Sequence, residues 1–102
     1  MSQWRAASLG EVEPGTVRLV ELDGRQIILT RVGPSVHACA ALCAHRGGPL
    51  AQGRISGVRL TCPWHGWMYD VRTGHCLFPG RGAAIDTYPV RLDGEDVWVD
   101  LP

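Results

Sequence analysis

Apolar and polar residues alternate along Thr16-Val17-Arg18-Leu19-Val20-Glu21-Leu22, the period of a strand with one face covered. Asp23-Gly24 follows as a tight hairpin turn, and residues 26–32, rich in Ile and Val, return as a second strand. Gly33-Pro34 turns the chain again and residues 36–41 make a third. Ahead of these, Trp4-Arg5-Ala6-Ala7 is a short first strand, and residues 8–15 form a loop ending on the turn signal Pro14-Gly15. Downstream, residues 54–61, 67–70, 75–78 and 85–92 and Val97-Trp98-Val99 are expected as strands. Turns at Arg72-Thr73-Gly74 and Asp93-Gly94 and a Gly-rich loop over 79–84 separate them. No amphipathic helix of useful length, repeat or linker interrupts the series. Many short strands with closely spaced turns predict an all-β fold, a small antiparallel sandwich or barrel. Trp4 and Trp98 are expected to fill its core.

A chain of 102 residues makes a single domain, 1–102, with a modest core. Ten basic residues balance ten acidic ones, so no net basic field points to nucleic acid. Every basic residue is Arg. No apolar run is long enough to cross a bilayer, and residues 1–10 hold neither a signal core nor a twin-Arg pair. The expectation is a cytoplasmic protein in a reducing compartment, with no membrane partner. Its four cysteines are then more naturally ligands or buried thiols than disulfides.

The chemistry concentrates in two loops. Cys43-Ala44-His45-Arg46-Gly47-Gly48-Pro49-Leu50 carries Cys-x-His, and Cys62-Pro63-Trp64-His65-Gly66-Trp67 carries Cys-x-x-His. Two soft sulfurs and two imidazoles make four protein donors. Such a set can hold one tetrahedral zinc, or two irons of a [2Fe–2S] cluster with thiolates on one and imidazoles on the other. Mixed donors within each loop suit the second arrangement, because each loop can send one ligand to each iron.

These loops resemble the two cluster-binding motifs of the Rieske [2Fe–2S] family, down to Arg46-Gly47, Pro49-Leu50 and Gly66. Ala44 departs from the usual Pro, Thr or Ser at a position that is not a ligand. The resemblance implies the Rieske fold: a base of N- and C-terminal strands carrying a cluster-binding subdomain at about 41–78. It implies one [2Fe–2S] cluster, with Cys43 and Cys62 on the inner iron and His45 and His65 on the outer iron at an exposed tip. High-potential relatives carry two further cysteines at the positions of Gly48 and Trp64, and a Ser where Trp67 stands. Lacking both features, this cluster is expected near the low end of the Rieske range, about −150 mV. Tyr69 is left as a hydrogen-bond donor toward a Cys sulfur.

By the same resemblance the chain is a ferredoxin that is not itself an enzyme. It would take single electrons from a flavin-dependent reductase and pass them to a terminal oxygenase, as a monomer docking transiently through the cluster tip. At this length no mononuclear iron domain is expected beside the cluster domain. Alternatives are a Rieske small subunit of a larger oxidoreductase, such as assimilatory nitrite reductase, and a structural zinc module. Outside the motif, Cys39 and Cys76 read as buried thiols, and His37 and His75 as ordinary strand or turn residues. Trp64 and Trp67 are equally readable as shields over the cluster or, for Trp64, as a partner-facing group. Arg46 is a candidate for pairing with an acidic partner surface.

Overall fold

The computed structural model describes residues 2–44 and 46–102. Eleven strands run among them: β1 Ser2–Ser8, β2 Val17–Leu22, β3 Arg25–Val32, β4 Ser35–Ala40, β5 Arg54–Ser56, β6 Arg59–Thr61, β7 Met68–Asp70, β8 Cys76–Phe78, β9 Thr87–Tyr88, β10 Val90–Asp93 and β11 Asp96–Leu101. Two 3₁₀ turns, Leu9–Glu11 and Leu50–Gln52, are the only helical pieces among the described residues. The strands form three antiparallel sheets, ordered β1-β11-β10, β2-β3-β4-β9 and β5-β6-β7-β8. The fold is therefore all-β, with the first and last strands paired along the base.

The central sheet explains the long apolar run in β3. Side chains alternate across a strand, and a sheet covered on both faces needs apolar residues at every position. Ile27 and Leu29 enter one core with Val97, Val99 and Leu101 of β11. Ile28, between them, enters a second core with Leu50, Leu60, Tyr69 and the two motif cysteines, Cys43 and Cys62. On β4, Val36 and Ala38 join the first core and Cys39 the second. One sheet thus separates a base from a smaller unit that carries both loops.

Three expectations are corrected. Residues 54–61 form a hairpin rather than one strand: Gly57 adopts φ 61°, and Ser56 pairs with Arg59 across the turn. A glycine inside an apparent strand meets the left-handed geometry such a turn requires. Residues 85–92 split at Pro89, with β9 pairing to β4 and β10 to β11. Proline supplies no N–H to a ladder, so the chain changes sheets there. Trp98 alternates outward from Val97 and Val99 and lies under the Arg91 guanidinium, 5.5 Å from its ring centre, while Trp4 is partly exposed. Neither indole fills the core.

Candidate metal centre

Both motif loops close on themselves. In the first, the Cys43 N–H donates to the Gly48 carbonyl (2.8 Å) and the Gly47 N–H to the Cys43 carbonyl (3.0 Å). In the second, the Cys62 N–H donates to the Trp67 carbonyl (2.7 Å). Each loop turns through a non-glycine and a glycine in the left-handed region: Arg46 (φ 61°) with Gly47 (φ 67°), and His65 (φ 66°) with Gly66 (φ 72°). A non-glycine residue there costs about 1–2 kcal/mol. Such strain persists where surrounding bonds fix the loop, and it collects at functional sites.

The loops bring two thiols to one place. Cys43 and Cys62 are both buried in the second core. Burial pushes the Cys62 thiol above its ordinary pKa, and interaction with Cys43 adds to the rise, so the two sulfurs are neighbours. Tyr69 reaches the site from β7, its hydroxyl 2.9 Å from Cys43 Sγ. The same oxygen accepts the Ala44 N–H at 3.1 Å. A Cys43 thiolate can only accept, so in that state the phenolic proton points at the sulfur. Burial foremost, then Cys43, holds that proton by pushing the phenol above its usual pKa. Cys62 Sγ accepts the Trp64 N–H at 3.4 Å.

His65, three residues after the buried Cys62, is exposed. His45, the fourth predicted ligand, lies outside the described residues. Among the described residues no three side chains of His, Cys, Asp or Glu gather tightly enough to hold a single ion. Trp64 is 48% exposed beside His65, whereas Trp67 packs against the core around the sulfurs. The shielding indole is Trp67.

A residue that sequence reasoning treated only as the place of a missing cysteine proves structural. A β-carbon on Gly48 would lie 2.7 Å from Cys62 Sγ and 3.3 Å from the Trp64 β-carbon. The bare backbone leaves the sulfur its space, and Gly48 and Trp64 do face each other. Paired thiols under a phenolic donor, beside a cradle kept clear of side chain, fit an iron–sulfur group. Metal binding would displace the thiol protons.

The remaining titratable groups play supporting parts. Cys39 donates from Sγ to the Val71 carbonyl (3.4 Å), and burial pushes its thiol up to about 12, so it is inert at neutral pH. Neither Cys39 nor Cys76 is in a disulfide. Burial lowers the pKa of His37, and the Arg72 charge lowers it further. His75 is exposed.

Asp70 accepts the Arg72 backbone N–H (2.9 Å) and Nε (3.1 Å) on Oδ1, and Nη2 (2.9 Å) on Oδ2. Those side-chain bonds hold its carboxyl below the usual range, against burial. A depressed folded-state pKa stabilises above the unfolded value of about 3.9 and is lost as pH falls through the folded value. Urea midpoints should therefore drop as the pH falls below about 5, and Asp70→Asn should flatten that drop.

A small β domain that buries two neighbouring thiols from matched loops, with an imidazole outside them, is built as an iron–sulfur protein. The Rieske [2Fe–2S] domain matches residues 3–89. The ferredoxin component of the naphthalene 1,2-dioxygenase system of Pseudomonas aeruginosa is 33% identical over 96 residues, covering 94% of this chain and 92% of that one. The ferredoxin of carbazole 1,9a-dioxygenase from Nocardioides aromaticivorans IC177 superposes with a TM-score of 0.90 at 30% identity, covering 97% of each chain. A chain in the complex of reduced oxygenase and oxidized ferredoxin of carbazole 1,9a-dioxygenase gives 0.88 at 26% identity, covering 95% of this chain and 91% of that one. The chain belongs to the Rieske [2Fe–2S] family, and its cofactor is one [2Fe–2S] cluster. No helix among the described residues is long and apolar enough to cross a membrane.

Proposed function

We propose that this chain is a Rieske ferredoxin carrying single electrons from a flavin-dependent reductase to a terminal oxygenase, without catalysing a reaction of its own. The whole chain acts as one domain with its cluster-bearing part at about 41–78, and it works in the cytoplasm as a monomer that docks transiently. Cys43 and Cys62 hold the inner iron, and His45 and His65 the outer one. The observation that carries the reading is the convergence of the two buried sulfurs from separate loops, with His65 of the second loop exposed. Relatives matched almost end to end are ferredoxin components, which supports a free carrier over a fragment of a larger enzyme.

When bound, the cluster supplies one-electron redox chemistry at an iron pair whose neutral imidazoles raise the potential above that of all-thiolate clusters. The chain's own residues set the rest. Tyr69 donates to Cys43 Sγ, which favours the more negative, reduced state. Trp67, Leu50 and Leu60 keep water from the sulfurs. His65 gives an exit path on the outward side.

The purified protein should be red-brown, with a midpoint by protein-film voltammetry near the bottom of the Rieske span, about −150 mV, and flat with pH around neutrality. A strongly positive midpoint, or a colourless zinc protein, overturns the reading. Tyr69→Phe should lower the midpoint by about 40 mV, the one-electron equivalent of a hydrogen bond worth about 1 kcal/mol.

A further inference from the structure

The balanced charge of the whole chain conceals a separation. Residues 41–84, which carry both loops and the third sheet, hold five arginines (Arg46, Arg54, Arg59, Arg72 and Arg81) and one acid, Asp70, for a formal charge of +4. The rest of the chain holds five arginines and nine acids, a formal charge of −4. All five arginines are exposed, while Asp70 is buried and bound to Arg72. Among the described residues, no carboxylate lies within 4.0 Å of Arg46, Arg54, Arg59 or Arg81.

Three of these charges sit beside the cluster loops. Arg46 lies within the first loop. Arg54 pairs across the sheet with Thr61, the residue before Cys62. Arg81 belongs to the loop after Phe78. Exposed apolar groups lie in or next to the same loops: Leu42 (55%) before Cys43, Trp64 (48%) beside His65, and Phe78 (57%), which pairs with Met68 just after the second loop. A [2Fe–2S] cluster with two thiolates and two neutral imidazoles has no net charge when oxidised and one negative charge when reduced, so it does not cancel the surplus.

We propose that the cluster-bearing end is a basic face with apolar contacts, fitted to an acidic docking surface on the oxygenase that accepts the electron. This rests on the carrier reading above. Arg46, Arg54 and Arg81 steer approach, and Trp64 is the desolvated anchor of the contact. Charged faces of this kind act mainly on the association rate and weaken with salt, and a buried Trp suits the centre of a small interface. The acidic base turns the opposite end away from the same partner.

The test uses small ions of known charge in place of the oxygenase. Reduced holoprotein is mixed with hexacyanoferrate(III) or with tris(1,10-phenanthroline)cobalt(III). In each case one electron leaves the iron pair, and the oxidant becomes hexacyanoferrate(II) or the cobalt(II) complex. The anionic oxidant should slow at least about tenfold from low to high salt, and the cationic one should not slow. The triple variant Arg46→Glu/Arg54→Glu/Arg81→Glu, still carrying its cluster by visible spectrum, should reverse that preference; the lower midpoint those charges impose acts on both oxidants alike, so the reversal is read from the ratio of their rates. Arg25→Glu on the base should leave it intact. Independently, redox-inert hexacyanochromate(III) should broaden amide resonances around Gly47, Arg54 and Arg81 and spare the base.

Equal salt responses for both oxidants, or broadening on the base, overturn the inference and leave the carrier reading standing. Retention of double-stranded DNA at about 0.15 M salt would give the basic face to nucleic acid and overturn the oxygenase assignment. If neither oxidant takes an electron, the carrier reading falls and the docking inference with it.

Discussion

Cys62→Ser should purify without colour, with iron and acid-labile sulfide reduced at least about 100-fold, beyond the range typical of a lost supporting contact. Serine nearly matches cysteine in size, so the loop can still fold. Its hydroxyl, however, is a hard, protonated donor at neutral pH, whereas the site needs a soft thiolate. Cys62 is 1% exposed, and the two cysteines outside the motif are each engaged with a backbone carbonyl, Cys39 with Val71 and Cys76 with Phe78. Electron exchange should vanish with the colour. A serine variant that keeps iron and sulfide near wild-type levels would remove Cys62 from the ligand set.

Gly48→Val should be nearly as damaging, though Gly48 is no ligand. Its β-carbon would stand 2.7 Å from Cys62 Sγ, closer than real side chains approach, with Trp64 at 3.3 Å blocking the alternative. Backbone bonds from Cys43 to Gly47 and Gly48 tie the first loop, so relief must come from moving the sulfur away from its metal. Cluster occupancy should fall about 10- to 100-fold, the scale of a lost supporting contact. Gly10→Val is the control, since a β-carbon there meets nothing within 4 Å and the backbone does not demand glycine. Iron per protein, read alongside the far-ultraviolet spectrum, separates a lost site from a lost fold. Equal iron content in the two variants would sink the steric account.

Much of this molecule is legible along the chain. Strands β2, β3 and β4 follow the alternation and turn signals of residues 16–41 to within a residue or two. The Asp23-Gly24 turn takes positive φ at both positions, as a tight hairpin requires. The departures have local causes visible in the chain: Gly57 and Pro89 each interrupt a run whose apolar periodicity continues across them. Trp98 misled for another reason. Size suggests burial, but the pleat decides direction, and Trp98 shares its face with Arg91 rather than with Val97 and Val99.

The loops and the chemical nature of their donors were determined by sequence alone, because a metal motif is written within a few bonded neighbours and its spacing survives any choice of surroundings. Tertiary structure decided what depends on residues far apart in the chain. It split Ile27, Ile28 and Leu29 between two cores, set Tyr69 against Cys43, left Gly48 as the clearance for Cys62, and sent Trp67 inward and Trp64 outward. Charge shows the same division. A sum over the chain cancels, whereas a field depends on where each charge sits, and the fold sets Arg54 beside Thr61 at the second loop while Arg25 and Arg31 stay on the base.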